Sequence, residues 1–320
     1  MKIDRFILYD SFWEAHGTGD SENQTTLPPY WLTLLKITEF QIYDTALSSN
    51  FACHPILSCK NTMTNRFIVV NSSTSEKFDS LCNTGKGNVY PWIACMNNLM
   101  YFQYSHGKLT SLKNWFPREM KNLLVVNLTH NYIKTIDSTG FFDKLINLTT
   151  LDLSHNLIEY FDFFFKEMKL KLLDLSWNHI KTIDEKQFAQ LTRLKSLNLA
   201  NNYIVDLNEK SWKSSPESLK YIGLTGNPII CSCNVRWINA TTIFANATIK
   251  GTCSSKRHKE LPIRSANQLL LILEYSEALI KSSNVPVHPC SYFLDFCFGR
   301  IFMSFENGYL PMYLCEYSYT

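Results

Sequence analysis

Two aspartates, Asp152 in "LDLSHN" and Asp174 in "LDLSWN", occupy the same place in similar strings. Paired carboxylates can divide general acid and general base work between them. As equivalent points of neighbouring strands they would stand about 5 Å apart, the strand spacing. Three histidines, His106, His130 and His155, also recur at one place, which raises metal binding or acid sensing. Ten cysteines could hold zinc or form disulfides. None of the local strings that usually mark catalysis is present. The chain contains no G-x-S-x-G, no H-E-x-x-H and no phosphate-cradling glycine loop.

What must position these residues is a repeat. In "NLTTLDLSHNLI" apolar residues fall at Leu148, Leu151, Leu153 and Ile158, with Asn156 among them. That spacing follows neither the period of a strand nor that of a helix for long. The same string recurs as Leu123, Val126, Leu128, Asn131 and Ile133; as Leu170, Leu173, Leu175, Asn178 and Ile180; as Leu194, Leu197, Leu199, Asn202 and Ile204; and as Leu219, Ile222, Leu224, Asn227 and Ile229. Its asparagines are 25, 22, 24 and 25 residues apart. A weaker copy precedes them, with Leu99, Phe102, Tyr104 and Leu109 in register and Gly107 in the asparagine's place.

Five full copies in register resemble the leucine-rich-repeat family, over residues 99–229. The resemblance implies an α/β solenoid, a horseshoe with a parallel concave sheet. Each repeat would be one turn whose leucines fill a shared interior. The asparagine amide both donates and accepts, so it suits a corner where backbone groups lack sheet partners. Gly107 has no such amide, and that turn is expected to be looser. Ile136, Phe142, Phe161, Phe165, Ile183, Phe188, Leu207 and Trp212 are expected to face inward from the convex side.

In this family the residue between the two strand leucines is the exposed one. Here that column reads Gln103, Asn127, Asp152, Asp174, Asn198 and Gly223, which favours a polar binding face over catalysis. The resemblance implies a ligand surface of Tyr101, Gln103, Thr150, Asp152, Leu172, Asp174, Trp177, Ser196, Asn198 and Tyr221, with Val125 and Asn127 at its near end. Tyr101, Leu172, Trp177 and Tyr221 are expected there without packing duty, and large side chains of that kind dominate interfaces. The three histidines, continued by Trp177, should stack as a ladder along one edge, a solvent-facing column by default.

Open solenoid ends need caps. "NPIICSCNVRWI", with Cys231, Cys233 and Trp237, resembles the start of the cysteine-rich C-terminal flanking module of extracellular leucine-rich-repeat proteins. By that resemblance Cys231 pairs with Cys253 and Cys233 with a later cysteine. Cys290 is the first candidate, although its 37-residue distance from Cys253 is longer than the family's usual gap, and Cys297 and Cys315 remain open. Cys53, Cys59, Cys82 and Cys95 precede the repeats as an N-terminal cap, with three possible pairings. Zinc fits poorly, because Cys231-x-Cys233 is too tight for most structural sites and no H-x₃₋₅-H follows. Disulfides imply an oxidising compartment. Six sequons, at Asn23, Asn71, Asn127, Asn147, Asn239 and Asn246, agree with export.

The flanks read less clearly. Residues 1–50, with "GTGDSENQTTLPP", read as loop or disorder; 51–98 as the N-terminal cap; 230–290 as the C-terminal cap; and 291–320 as an unassigned aromatic tail. The start, "MKIDRFILYDSFWEAHG", lacks a signal-peptide apolar run, and no segment is long and uncharged enough to span a membrane. The expectation is that the true ends lie beyond this sequence, or that a soluble product leaves by another route. A net charge of +3 is too mild to imply nucleic acid. "KRHKELPIR", with Lys256, Arg257 and Lys259, offers a basic patch for a glycosaminoglycan. The sequence therefore predicts a secreted or cell-surface module binding a protein ligand, without cofactor or metal. Its alternatives are a matrix protein and a hydrolase.

Overall fold

The structure is a computed structural model. It describes residues 2–10, 12–13, 36–47, 53–55, 63–74, 89–91, 96–110, 112, 119–136, 142–161, 169–184, 187, 191–212, 215–230, 247–254, 261–263, 300–305 and 308–313. Its centre is a sheet of ten strands in parallel pairings. In chain order these are β1 (Lys2–Tyr9), β2 (Lys36–Tyr43), β3 (Arg66–Val70), β4 (Tyr101–Ser105), β5 (Val125–Asn127), β6 (Thr150–Asp152), β7 (Leu172–Asp174), β8 (Ser196–Asn198), β9 (Tyr221–Gly223) and β10 (Thr248–Lys250). Every strand pairs with its neighbours in sequence order, as one strand per turn of a solenoid requires.

The apolar positions stack into one continuous interior. Val126, Leu151, Leu173, Leu197 and Ile222 are buried and lie on adjacent strands in register. From the convex side Ile136, Phe142, Phe161, Ile183, Leu207 and Trp212 close the same core. Phe165 and Phe188 lie outside the described residues.

The asparagines act as read from the sequence. The Asn156 Nδ2 donates to the Leu128, Leu153 and Ser154 carbonyls, and its Oδ1 accepts the Ile133 N–H at 3.1 Å. One side chain thus binds its own turn to the one before it. Asn131, Asn178, Asn202 and Asn227 repeat the arrangement. At Gly107 the missing amide is replaced. The Tyr104 ring fills that space, where an added Cβ would collide with its Cε1, and its hydroxyl donates to the Ser72 carbonyl of the preceding turn. Burial pushes the Tyr104 phenol up to about 12.

The repeat begins earlier than its sequence signature. Residues 1–50 are not simply loop, since they hold β1 and β2, and β3 lies within 51–98. Six turns is therefore an undercount. Ile37, Phe40 and Ile42 fill the leucine positions, but Thr45 and Ser72 stand at the place the asparagine holds in the later turns. Their hydroxyls do a smaller version of its work: the Thr45 N–H donates to the Ser72 Oγ, and the two hydroxyls donate to the Tyr43 and Val70 carbonyls. A run of aromatic rings replaces the leucines, with centroids 5.6 Å apart for Phe6 and Phe40, 5.4 Å for Phe40 and Phe67, and 5.9 Å for Phe67 and Phe102.

Of the cysteines, Cys253 is buried and disulfide-bonded, its partner lying outside the described residues. Cys53 begins a short strand, Cys53–Pro55, antiparallel to Val89–Pro91. Cys59, Cys82, Cys95, Cys231, Cys233 and Cys290 lie outside, as do Asn23, Asn239, Asn246, Lys256, Arg257 and Lys259. In the tail, Arg300–Phe305 and Gly308–Tyr313 pair antiparallel. Among the described residues no helix is long and apolar enough to cross a membrane.

Candidate functional site

Strand alternation turns two columns of side chains onto the concave face. The first runs Arg5, Glu39, Arg66, Tyr101, Val125, Thr150, Leu172, Ser196, Tyr221 and Thr248. The second runs Ile7, Gln41, Ile68, Gln103, Asn127, Asp152, Asp174, Asn198, Gly223 and Lys250. All the residues expected to bind ligand except Trp177 fall in these columns.

The two ends of the face differ from its middle. At the N-terminal end the polar groups are mutually engaged. Glu39 lies between Arg5 and Arg66 at 3.4 and 3.3 Å. Burial works to raise its carboxyl, but the Gln41 and Arg66 hydrogen bonds and the two guanidinium charges bring it below its ordinary value. Arg66 also lies 4.2 Å above the Tyr101 ring, and the Tyr101 hydroxyl donates to Gln103. Tyr101 therefore has packing duty, contrary to expectation. The reason is β3, which supplies a neighbour that the repeat count omitted. Burial also raises the Tyr101 phenol above its ordinary value.

In the middle, Leu172 is 39% exposed between Thr150 and Ser196 of the neighbouring strands. The Asp174 carboxylate takes the Ser176 N–H and hydroxyl and the Asn198 amide, which fixes its orientation. Asp152 takes the Ser154 N–H at 3.0 Å. Burial is the main influence raising the Asp152 carboxyl above its ordinary value, with the Asp174 charge adding to it against the opposing hydrogen bond from Ser154. These are oriented acceptors on a binding face. Tyr221 is half-buried, with the Lys250 ammonium 6.0 Å above its ring.

The histidine ladder is real and longer than the three histidines. His106 and His130 stack with centroids 4.1 Å apart at 11°, His130 and His155 likewise, and Trp177 continues at 5.3 Å. Every rung has positive φ: Asp10, Asp44, Asn71, His106, His130, His155, Trp177 and Asn201 between 44° and 56°, and Gly226 at 77°. Each non-glycine rung's N–H donates to the next turn, from Asp10 to the Tyr43 carbonyl through Asn201 to the Thr225 carbonyl. Asn, Asp and His tolerate the left-handed region better than bulkier residues, so Trp177 is the outlier. It is also 54% exposed. Burial and its two imidazole neighbours lower the His130 pKa. Parallel rings do not converge their nitrogens on one ion, and no metal-holding group of three such side chains occurs among the described residues.

The family model for the leucine rich repeat matches residues 97–158, 121–180 and 168–229. Fibromodulin of Sus scrofa is 30% identical over 125 residues, 39% of this chain and 80% of that protein. The chain belongs to the leucine-rich-repeat family. Toll-like receptor 4 of Pinctada imbricata is 26% identical over 195 residues, 48% of this chain. This leucine-rich-repeat chain spans only 22% of that receptor's length. It also aligns with a chain of the solved octameric complex of Latrophilin 3, Unc5D and FLRT2, at 15% identity and TM-score 0.48 over 72% of this chain and 74% of that one.

Of the sequon asparagines that are described, Asn71 is exposed, Asn127 accepts the Thr129 N–H on the concave face, and Asn147 donates to the Lys121 carbonyl and accepts from Lys169. Sequence reasoning missed Arg5, Glu39 and Arg66, since the strands that carry them were not recognised. The signal was present in Ile37-x-x-Phe40-x-Ile42, the repeat's spacing with other apolar residues.

Proposed function

We propose that this chain is a secreted or cell-surface module that binds a protein ligand on its concave face between Thr150 and Tyr221. It acts by recognition and not by catalysis. The observation that carries the reading is the pairing of exposed apolar groups, Leu172 and Trp177, with carboxylates held in fixed orientation by the scaffold. Leu172 is free of the ion-paired network that occupies the N-terminal end. Large apolar groups on a rigid polar face are the usual anchors of an interface. Similarity to a receptor and to fibromodulin supports binding as the mode of action. In this reading the cysteines at both ends form structural disulfides, and sugar on the Asn127 sequon closes the near end of the face.

A binding survey against an array of recombinant cell-surface and matrix proteins tests this. Leu172→Asp and Trp177→Ala should each weaken a bound partner at least about tenfold, the scale of one lost anchor. Lys181→Ala, an exposed position away from the strands, should not. Binding unchanged in both variants, on the concave face at Leu172 and at its edge at Trp177, with circular dichroism intact, would move the site elsewhere. The fibromodulin relative favours one second reading, a matrix protein with a glycosaminoglycan patch at Lys256, Arg257 and Lys259. Heparin retention lost on neutralising those three residues would support it.

A further inference from the structure

The left-handed column has a polarity that the binding reading does not use. Its first two rungs, Asp10 and Asp44, are carboxylates, the third is Asn71, and the next three are His106, His130 and His155. All six are exposed. Because each rung has nearly the same φ and the same backbone hydrogen bond to the next turn, the six side chains leave the molecule along one line in one orientation.

We propose that this column is a self-complementary surface through which two copies of the chain associate antiparallel in mild acid. A two-fold axis between the third and fourth rungs sets Asp10 against the partner's His155, Asp44 against the partner's His130 and Asn71 against the partner's His106. The same three contacts recur on the other side of the axis, as an isologous interface demands. A parallel arrangement would instead set carboxylate against carboxylate and imidazole against imidazole. The charge order along the column therefore selects the orientation as well as the partner.

The pH dependence follows from the groups involved. Imidazoles gain their charge between about pH 8 and 5, His130 at lower pH than an ordinary imidazole because burial and its stacked neighbours oppose the charge, while carboxylates keep theirs down to about pH 4. Attraction between the columns is greatest between those limits and fades on both sides. Asp152 lies within electrostatic reach of His130 and His155, with Asp174 beyond it, and the exposed Lys108 follows His106 by two residues. On the acidic rungs the Asn71 amide donates to the Asp44 carboxylate, which points that carboxylate along the column. Trp177 lies outside the six paired rungs.

Sedimentation velocity of the full chain at pH 7.5, 5.5 and 3.5 tests the proposal. The dimer should be tightest at pH 5.5, with a dissociation constant about tenfold or more below that at pH 7.5, the change expected from one strengthened ion pair. The deciding arm uses His130→Asp and Asp44→His, both tolerated in the left-handed region. Each variant alone places like groups opposite one another and should remain monomeric at pH 5.5. Mixed in equal amounts they restore both Asp–His contacts and should form a heterodimer. A mixture that stays monomeric, or a pH 5.5 dimer unaffected by either variant, would overturn the proposal. A sugar on Asn71 would stand at the centre of the interface, so Ser73→Ala, which removes the sequon and keeps the amide, should leave association unchanged. A gain of association on Ser73→Ala would count against it. Leu172→Asp should not alter self-association, which separates failure here from failure of the ligand site.

Discussion

The turns of β1–β3 and those of β5–β9 share one parallel sheet and the same left-handed corner, but they secure the corner differently. In the later turns a buried asparagine amide ties two turns together with several hydrogen bonds. In the early turns a threonine or serine hydroxyl makes fewer, and stacked phenylalanines supply the core. The geometry is thus common to two chemistries. What the solenoid requires is a filled interior and satisfied corner groups, and the asparagine is one way of meeting the second requirement.

If the early turns depend chiefly on the aromatic run, its central ring should show the largest effect. Phe40 is fully buried, stacks on the Phe67 ring at 5.4 Å and meets the Phe6 ring, tilted by 51°, at 5.6 Å. Phe40→Ala should cost about 3–5 kcal/mol, the range for deleting a buried aromatic ring. Denaturant unfolding should show it, and a loss as small as that of an exposed alanine substitution would break the comparison.

The next contrast concerns the corner itself. Asn156→Ala leaves the Leu128, Leu153 and Ser154 carbonyls and the Ile133 N–H without that side chain, and buried groups left unpaired cost about 1–3 kcal/mol. Thr45→Val removes one hydroxyl donor of nearly equal shape and should cost about 0.5–1.5 kcal/mol. Glu159→Ala, at an exposed site, should be nearly neutral. Equal melting shifts for Asn156→Ala and Thr45→Val would mean that the two corners are equivalent after all.

This contrast also explains what could be read from the sequence. The five asparagine turns were legible because Asn131, Asn156, Asn178, Asn202 and Asn227 combine a rare requirement with a fixed place after the strand leucines. The turns of β1–β3 carry the same apolar spacing, but serine and threonine are too common to mark a corner, and Asp10, Asp44 and Asn71 are 34 and 27 residues apart, both longer than the 22 to 25 residues between the later asparagines. The histidine ladder was legible as a periodic position. Its acidic continuation was not, because the rungs belong to turns without the signature. Arg66 over Tyr101 was hidden for the same reason.

The smallest expected effect is a difference in how the two regions respond to pH. His130, in the asparagine turns, has its pKa lowered by burial and by the imidazoles on either side. An unfolded histidine has no such neighbours, so in the window at and just below its ordinary pKa of about 6.5 the unfolded chain binds more protons than the folded one. Stability linked to His130 is therefore present above that window and is lost as pH falls through it. Asp152 has the opposite sign. Its carboxyl is raised, so the folded chain holds its proton to higher pH, and the associated stability is lost as pH rises through the carboxylate range. Between about pH 5.5 and 7.5 the histidine contribution should dominate the local slope, because carboxylates titrate mostly below that interval. His130→Asn keeps a residue tolerated at positive φ and removes the titrating ring. Melting temperatures measured from pH 5.5 to 7.5, at protein concentrations low enough to keep the chain monomeric, should rise less steeply for His130→Asn than for the parent. Thr45→Val, which alters a corner without changing any titrating group, should lower the melting temperature by a similar amount at every pH in that interval. An unchanged slope in His130→Asn would show that the stacked imidazoles carry no proton-linked cost, and that the ladder differs from the acidic rungs only in shape.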